Sequence, residues 1–232
     1  MRHGFLRAMT YNLHGGRDLL NRPSLDGIAA TITAAEADLI GLQEVERRFR
    51  DRTDGAAFLA AAVGRELRFA PALDRMPGEP GGEFGLAVLS RWPILRSSFI
   101  LLPSRGEPRI LLSALVEGPW GPLRFLTCHL GLDAEERRGQ VEAIIHLVEG
   151  FRGPAVLAGD FNAPAEAAEL GPLFTRWQEV QTACGLNDAT FPAAAARIDF
   201  IFCPRSWRVL CAAVLPSPAS DHRPVVADLV PA

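Results

Sequence analysis

Polar residues capable of chemistry fall at the ends of apolar runs along this chain. Asn12 follows FLRAMTY, Glu44 follows ADLIGLQ, His129 follows LRFLTC, and Asp160 and Asn162 follow or adjoin PAVLAG. Asp199 lies inside ARIDFIF, and Asp221 and His222 precede PVVADLV. Carboxylates hold hard cations, imidazoles and carboxylates move protons, and amides and imidazoles donate hydrogen bonds to phosphate oxygens. In layered folds of strands and helices the strand ends and their loops form the crevice where ligands bind. Polar groups delivered there by several strands therefore point to one shared site. Each has a plainer reading taken alone: Glu44 as a solvated strand end, Asn12 as a turn former before Gly15 and Gly16, Asp160 and Asn162 as an Asx turn or the cap of a helix at Pro164, Asp221 and His222 as a turn before Pro224.

The elements that must position these residues are readable from periodicity. Apolar or alternating runs predict strands at 5–13, 38–44, 67–72, 84–90, 97–102, 109–117, 122–130, 154–160, 197–203, 207–215 and 224–230. Helical patterns cover SLDGIAATITAAEA, which can start at Ser24, the alanine-rich GAAFLAAAVGREL, and DAEERRGQVEAIIHLVEG. In the last, Asp133 and Glu136 have the spacing of a capping box, and Gly150 ends the pattern. A short further helix is expected to begin at Pro164. Gly118-Pro119-Trp120-Gly121 between two apolar runs predicts a hairpin, whereas helices between the early strands suggest crossovers, so a mixed sheet with outer helices fits better than a parallel one.

The chain has 232 residues, 48% of them hydrophobic, enough for one large core, and no linker or internal repeat divides it. All basic residues are arginine, and the formal charge of −3 removes the long-range pull on polyanions that a basic protein exerts. Cys128, Cys184, Cys203 and Cys211 lack metal-type pairing and are expected to be buried thiols. No segment has the length and apolarity of a membrane span or the pattern of a secretory leader, which predicts a cytoplasmic protein without membrane insertion. His146, on the apolar face of VEAIIHLVE, reads as a core or boundary histidine. His3 reads as a frayed terminus, and His14 is near enough to Asn12 to line the site. The arginines of ERRFRDR are either a solvated run or a phosphate-gripping loop.

TYNLHGG, LIGLQEV, FGLAVLSRWPI, TCHLG, GDFNAP, RIDFIF and SDHRPVV, in this order, resemble the motif series of the endonuclease/exonuclease/phosphatase superfamily, the fold of pancreatic deoxyribonuclease. The resemblance spans nearly the whole chain. It implies an α/β (α+β) fold, a four-layer sandwich of two mixed, largely antiparallel β-sheets flanked by helices, as one domain over residues 1–232. It also implies a divalent-metal-dependent hydrolase of phosphoester bonds. On that resemblance Glu44 is the first-choice ligand for Mg2+ or Mn2+, Asn12 assists through its amide oxygen or a bridging water, and Asp221 completes the metal side. His222 matches the catalytic histidine, with Asp199 on its other ring nitrogen. Asp160 and Asn162 orient the attacking water or bind the transition-state oxygens, Asp160 can serve a second metal, and the general base is left open between Asp160 and His222. His129 donates to a non-bridging phosphate oxygen, with Glu83 as a loosely aligned orienter, and Arg109 clamps phosphate.

Short connections, a single tyrosine and the absence of lysine separate this chain from duplex-reading and inositol-phosphatase branches. A phosphodiesterase of nuclease type is the leading reading, with a phosphate ester, nucleic acid included, as the partner and a monomer as the default. Phospholipid-headgroup or inositol-phosphate hydrolysis is the alternative, and a non-catalytic binding domain on the same fold is the third reading. The third is disfavoured because every expected position holds a chemically competent residue.

Overall fold

The computed structural model describes residues 4–49, 53–73, 81–151 and 153–231. The first sheet contains β1 (Leu6–Asn12), β2 (Leu39–Phe49), β3 (Thr53–Asp54), β4 (Glu66–Leu73), β5 (Glu83–Ser90), β12 (Arg208–Val214) and β13 (Val225–Val230), in the order β12-β13-β1-β2-β5-β4 with β3 on β2. The second contains β6 (Ile94–Leu102), β7 (Arg109–Gly118), β8 (Gly121–His129), β9 (Ala155–Asp160), β10 (Gln178–Glu179) and β11 (Asp199–Cys203), in the order β10-β11-β9-β8-β7-β6. Each sheet holds one parallel pair at its centre, β1 with β2 and β8 with β9, and every other pairing is antiparallel. A parallel pair needs a crossover, and α1 (Leu25–Ala35) and α3 (Ala134–Glu149) provide them.

Alternation along the strands sorts the apolar side chains into three layers of core. Leu39, Val88, Phe125, Val156, Ile201 and Val225 fill the space between the sheets. Ile28, Ile32 and Leu59 of α1 and α2 (Gly55–Val63) cover Met9 and Leu42 on the outer face of the first sheet. Val141 and Ile144 of α3 and Leu173 of α4 (Gly171–Arg176) cover Leu111, Leu157 and Phe200 on the second. The result is the expected four-layer sandwich. Burial of each such side chain contributes about 1.5–3 kcal/mol, so the layers fix the relative placement of the strand ends.

One polar seam crosses the core near the site. Thr10 Oγ1 donates to Gln43 Oε1 (3.3 Å), and Gln43 Nε2 donates to Thr127 Oγ1 (2.8 Å), tying β1 and β2 to β8 with all three residues buried. The sheets approach closely here: a Cβ on Gly41 would lie 2.7 Å from Thr127 Oγ1. Similarly, a Cβ on Gly159 would meet the Cys128 carbonyl at 2.3 Å, so only glycine lets β9 pack beside β8 just before Asp160.

Several local expectations need correction. The segment after Glu44 continues as strand to Phe49, held by the Arg47↔Glu83 register with β5. No helix starts at Pro164; a 3-10 turn at Ala168–Leu170 leads into α4 from Gly171, with proline in its first turn. Asp133 caps α3 by accepting from the amides of Glu135 and Glu136, but the Glu136 carboxylate accepts from the amides of Arg105 and Gly106 instead of closing a capping box. α5 (Val180–Ala183) and the two-residue strands β3 and β10 were too short to register as patterns. His146 is exposed in the last turn of α3, not in the core. Cys128 and Cys203 are buried, Cys184 is half-buried and Cys211 exposed. Among the described residues no helix is long and apolar enough to cross a membrane. His3, Arg50 and Arg52 lie outside the described residues.

Candidate active site

The topology brings the polar strand ends to one edge of the sandwich. Asn12 ends β1, His129 ends β8 and Asp160 ends β9; the parallel pairing of β8 with β9 points His129 and Asp160 the same way, and the hydrogen bond from Asn12 Nδ2 to Asp160 Oδ2 brings the end of β1 to them. Asp199 and Arg109 begin β11 and β7, and Asp221 and His222 precede β13; these strands run antiparallel to their neighbours, so their starts lie at that same edge. The registers set Asp160 beside both His129 and Asp199. Glu44 arrives differently. It sits in β2 at a register shift between Leu42 and Val45, with φ 54°, a left-handed conformation that costs a non-glycine residue about 1–3 kcal/mol and turns its side chain toward Asn12.

Asn12 links the two sheets. Its Nδ2 donates to Glu44 Oε1 and to Asp160 Oδ2, both at 3.0 Å, while its Oδ1 accepts from the His14 amide (3.0 Å). In this arrangement the amide nitrogen faces the carboxylates; the resemblance has Asn12 assist a metal through its amide oxygen or a bridging water. Asp160 Oδ1 accepts from the Asn162 amide (2.9 Å), and Asn162, at φ 50°, spends its side-chain amide on the Leu130 carbonyl (2.9 Å), which secures the loop after β9. Asx-turn geometry and a place in the site thus coexist.

His222 Nδ1 lies 2.9 Å from Asp199 Oδ2, and its Nε2 lies 3.7 Å from Asp160 Oδ2. Burial pushes the His222 imidazole down, but Asp199, Asp160 and Asp221 together raise it to about 10. On the other side of Asp160, His129 Nε2 stands 3.5 Å from the same Oδ2, and its Nδ1 is 3.1 Å from Arg109 Nη1. Burial, with help from Arg109 and His222, lowers His129 to about 4 against the opposing pull of Asp160. Glu83 does not reach His129: its carboxylate pairs with Arg47 (3.3 Å) and Arg48 (2.8 Å), so these two arginines are also engaged. His14 stands at the rim with Nδ1 3.9 Å from Asp221 Oδ1.

Several supporting residues carried no sequence signal. Ser220 donates to the Asn12 carbonyl (2.8 Å) and accepts from the His222 amide (3.3 Å), a turn that only its place two residues before the histidine hinted at. The buried Thr190 hydroxyl accepts from the Ile198 and Asp199 amides, both at 3.1 Å, and its carbonyl accepts from the Arg223 amide (2.7 Å), so one residue holds the backbone of both halves of the Asp199–His222 pair. Phe191 packs against the imidazole of His222 with centroids 4.9 Å apart.

The donor set suits a hard divalent cation. Asp160, Asp199 and His222 bring ligand atoms within 4.8 Å of one another, and Asp199 Oδ1 is buried without a hydrogen-bond partner among the described residues. Burial raises the Glu44 carboxyl, and Asp160 and Asp221 raise it further; Asp160 is raised by its own burial and by Asp199. Carboxylates that repel one another at this density are relieved by an oxygen-seeking cation.

The model of the endonuclease/exonuclease/phosphatase family matches residues 9–222. An uncharacterized protein of Escherichia coli, YbhP, is 27% identical, with 96% of this chain and 95% of that protein covered. A crystal structure of an endonuclease/exonuclease/phosphatase from Beutenbergia cavernae superimposes with a TM-score of 0.83 at 25% identity, covering 97% of this chain and 71% of that one. A mannosyl-6-phosphatase of Bacteroides thetaiotaomicron has the same fold, with a TM-score of 0.78 at 21% identity over 97% of this chain and 99% of that one. With the polar strand ends gathered around Asp160 and the family's pattern running from β1 to His222, this chain belongs to the endonuclease/exonuclease/phosphatase family.

Proposed function

We propose that this protein is a Mg2+- or Mn2+-dependent phosphodiesterase of nuclease type that hydrolyses its substrate by in-line attack of water. The observation that carries the reading is the convergence of Asp160, Asp199 and His222 within 4.8 Å, with Asn12 joining Glu44 to Asp160. Glu44 would hold the cation, with Asp221 on the same side and Asp160 within reach of a second ion. When bound, the cation supplies Lewis-acid polarisation of a phosphoryl oxygen and offsets its charge. The chain's own groups do the rest. The Asp160–His222 pair receives the proton of the attacking water, Oδ2 and Nε2 standing 3.7 Å apart, while Asp199 fixes the ring and stabilises its charged form. The Asn162 backbone amide holds Asp160 in place through Oδ1, while Oδ2, which also accepts from Asn12 Nδ2, faces both imidazoles.

A second reading, hydrolysis of a small or headgroup phosphoester, is favoured by charge. The chain carries −3, and Arg47 and Arg48, near Glu44 in sequence, are already paired with acids, so these two add little to the pull on a long polyanion. The name of the Bacteroides protein, a mannosyl-6-phosphatase, fits that reading as well.

The test is cleavage of bis-p-nitrophenyl phosphate against p-nitrophenyl phosphate with Mg2+, with Mn2+ and with chelator, followed by a panel of single-stranded DNA, duplex DNA, RNA, phospholipids and inositol phosphates. Metal-dependent diester cleavage is expected to lead. A higher rate on the monoester would move the assignment to the second reading, and no cleavage of any substrate with either metal would return the protein to the binding-domain reading.

A further inference from the structure

We propose, resting on the phosphoester-hydrolase reading above, that Arg109 is a positioning residue which fixes the tautomer of His129, making this imidazole a permanent hydrogen-bond donor to a phosphate oxygen and withdrawing it from proton transfer. The argument begins with what an arginine cannot do. A guanidinium carries only N–H donors and stays charged, so at 3.1 Å from Arg109 Nη1 the His129 Nδ1 must accept, and the ring proton belongs to Nε2. The Nε2–H edge is the one that faces Asp160 Oδ2, at 3.5 Å, where the reaction takes place.

The contact is built. Arg109 begins β7 and is 8% exposed, its amide donates to Ser104 Oγ (3.2 Å), and Nη1 is also held by Glu107 Oε1 at 2.9 Å. Both side-chain contacts fall on Nη1, one of the three guanidinium nitrogens, so the tautomer role is separate from the phosphate-clamping role suggested for Arg109 by its sequence context. The charged or titratable groups acting on His129 are Arg109, Asp160 and His222. Protonating Nδ1 would set an N–H against the N–H groups of Arg109, so imidazolium formation is opposed by geometry as well as by burial. In this tautomer His129 presents Nε2–H, a donor, toward Asp160 Oδ2. Proton movement is left to the Asp160–His222 pair, where an acceptor, Asp199, occupies the position that Arg109 takes on His129.

The experiment reads the tautomer directly, without substrate. In 15N-labelled protein, with the ring assigned by comparison with His129→Gln, Nδ1 should resonate as an unprotonated nitrogen and Nε2 as a protonated one across the range in which free histidine titrates. Arg109→Glu replaces the donor by an acceptor and should move the proton to Nδ1, with kcat/KM for the diester falling about 10- to 100-fold, the usual cost of losing an outer partner. Arg109→Lys, which can only donate, should keep the tautomer and most of the activity. A wild-type ring protonated on Nδ1 in an active enzyme overturns the proposal alone, as do Arg109→Lys and Arg109→Glu variants that fold and lose the same activity. An Nε2–H ring in a protein that cleaves no phosphoester overturns the donor role together with the hydrolase reading and leaves the tautomer standing.

Discussion

The two imidazoles that flank Asp160 differ in one contact and in almost everything that follows from it. Each points Nε2 at Asp160 Oδ2, His129 from 3.5 Å and His222 from 3.7 Å, and both residues are buried. On Nδ1, however, His129 meets a guanidinium and His222 a carboxylate. One ring is driven to about 4 and the other to about 10. Burial lowers both and is the main cause at His129, where Arg109 adds to it; at His222 the carboxylates of Asp199, Asp160 and Asp221 outweigh it. The fold thus places a ring facing a donor and a ring facing an acceptor on either side of a single carboxylate.

Breaking the charged side should have the largest effect. His222→Ala removes the ring that shares the proton with Asp160, and kcat on the diester should fall about 10²- to 10⁴-fold. Asp199→Ala leaves the ring but removes its orienter and counter-charge, so it should act as a milder copy of the same defect. Full activity in Asp199→Ala would dissolve the contrast between the two histidines.

Next come the carboxylates between them. Glu44→Gln should weaken Mg2+ or Mn2+ binding by about tenfold or more, taking the loss for an outer-sphere partner as the lower bound, as followed by calorimetric titration. Unchanged affinity would remove Glu44 from the metal site. Asp160→Asn should lower turnover while the metal-free protein melts no lower than the wild type. Its carboxyl is raised by burial and by Asp199, and an amide relieves that repulsion. A clear fall in the melting temperature of the metal-free variant would mean that the Asp160 charge is satisfied within the chain.

How much of this could be seen beforehand follows from range. Strand ends were legible because an apolar run that stops at Asn12, His129 or Asp160 marks its own boundary, and crossovers were legible from the helices between the early strands. What could not be seen depends on contacts across the chain. The left-handed backbone at Glu44 arises from a bulge against β5, where the sequence offers no glycine. β2 continues through charged residues because Arg47 finds Asp54 and Glu83. Glu83 was matched to His129 by motif order, yet it belongs to the opposite sheet, and the true partner, Arg109, reaches His129 through the pairing of β7 with β8. The grip of Thr190 on Asp199 and Arg223 runs through backbone amides, which no pattern of side chains reveals.

The finest test of the comparison is the pH dependence of stability in chelator. Folding raises His222 from 6.5 to about 10, so the folded state binds its proton more tightly; this contribution is complete below about pH 6.5 and is lost as pH rises toward 10. Folding lowers His129 from 6.5 to about 4, so the unfolded chain takes that proton first, and the wild type is penalised as pH falls from 6.5 toward 4. Urea unfolding of the metal-free protein should therefore show the stability gap between wild type and His222→Gln closing on the alkaline side, and the gap to His129→Gln changing only on the acid side. A divalent cation beside Asp160 competes with the charged His222 ring for the same carboxylates, so adding Mg2+ should shrink the alkaline effect more than the acid one, because Arg109 fixes His129 whether or not a cation is present. Equal pH profiles for the two variants would mean that the far-nitrogen partners do not set the difference.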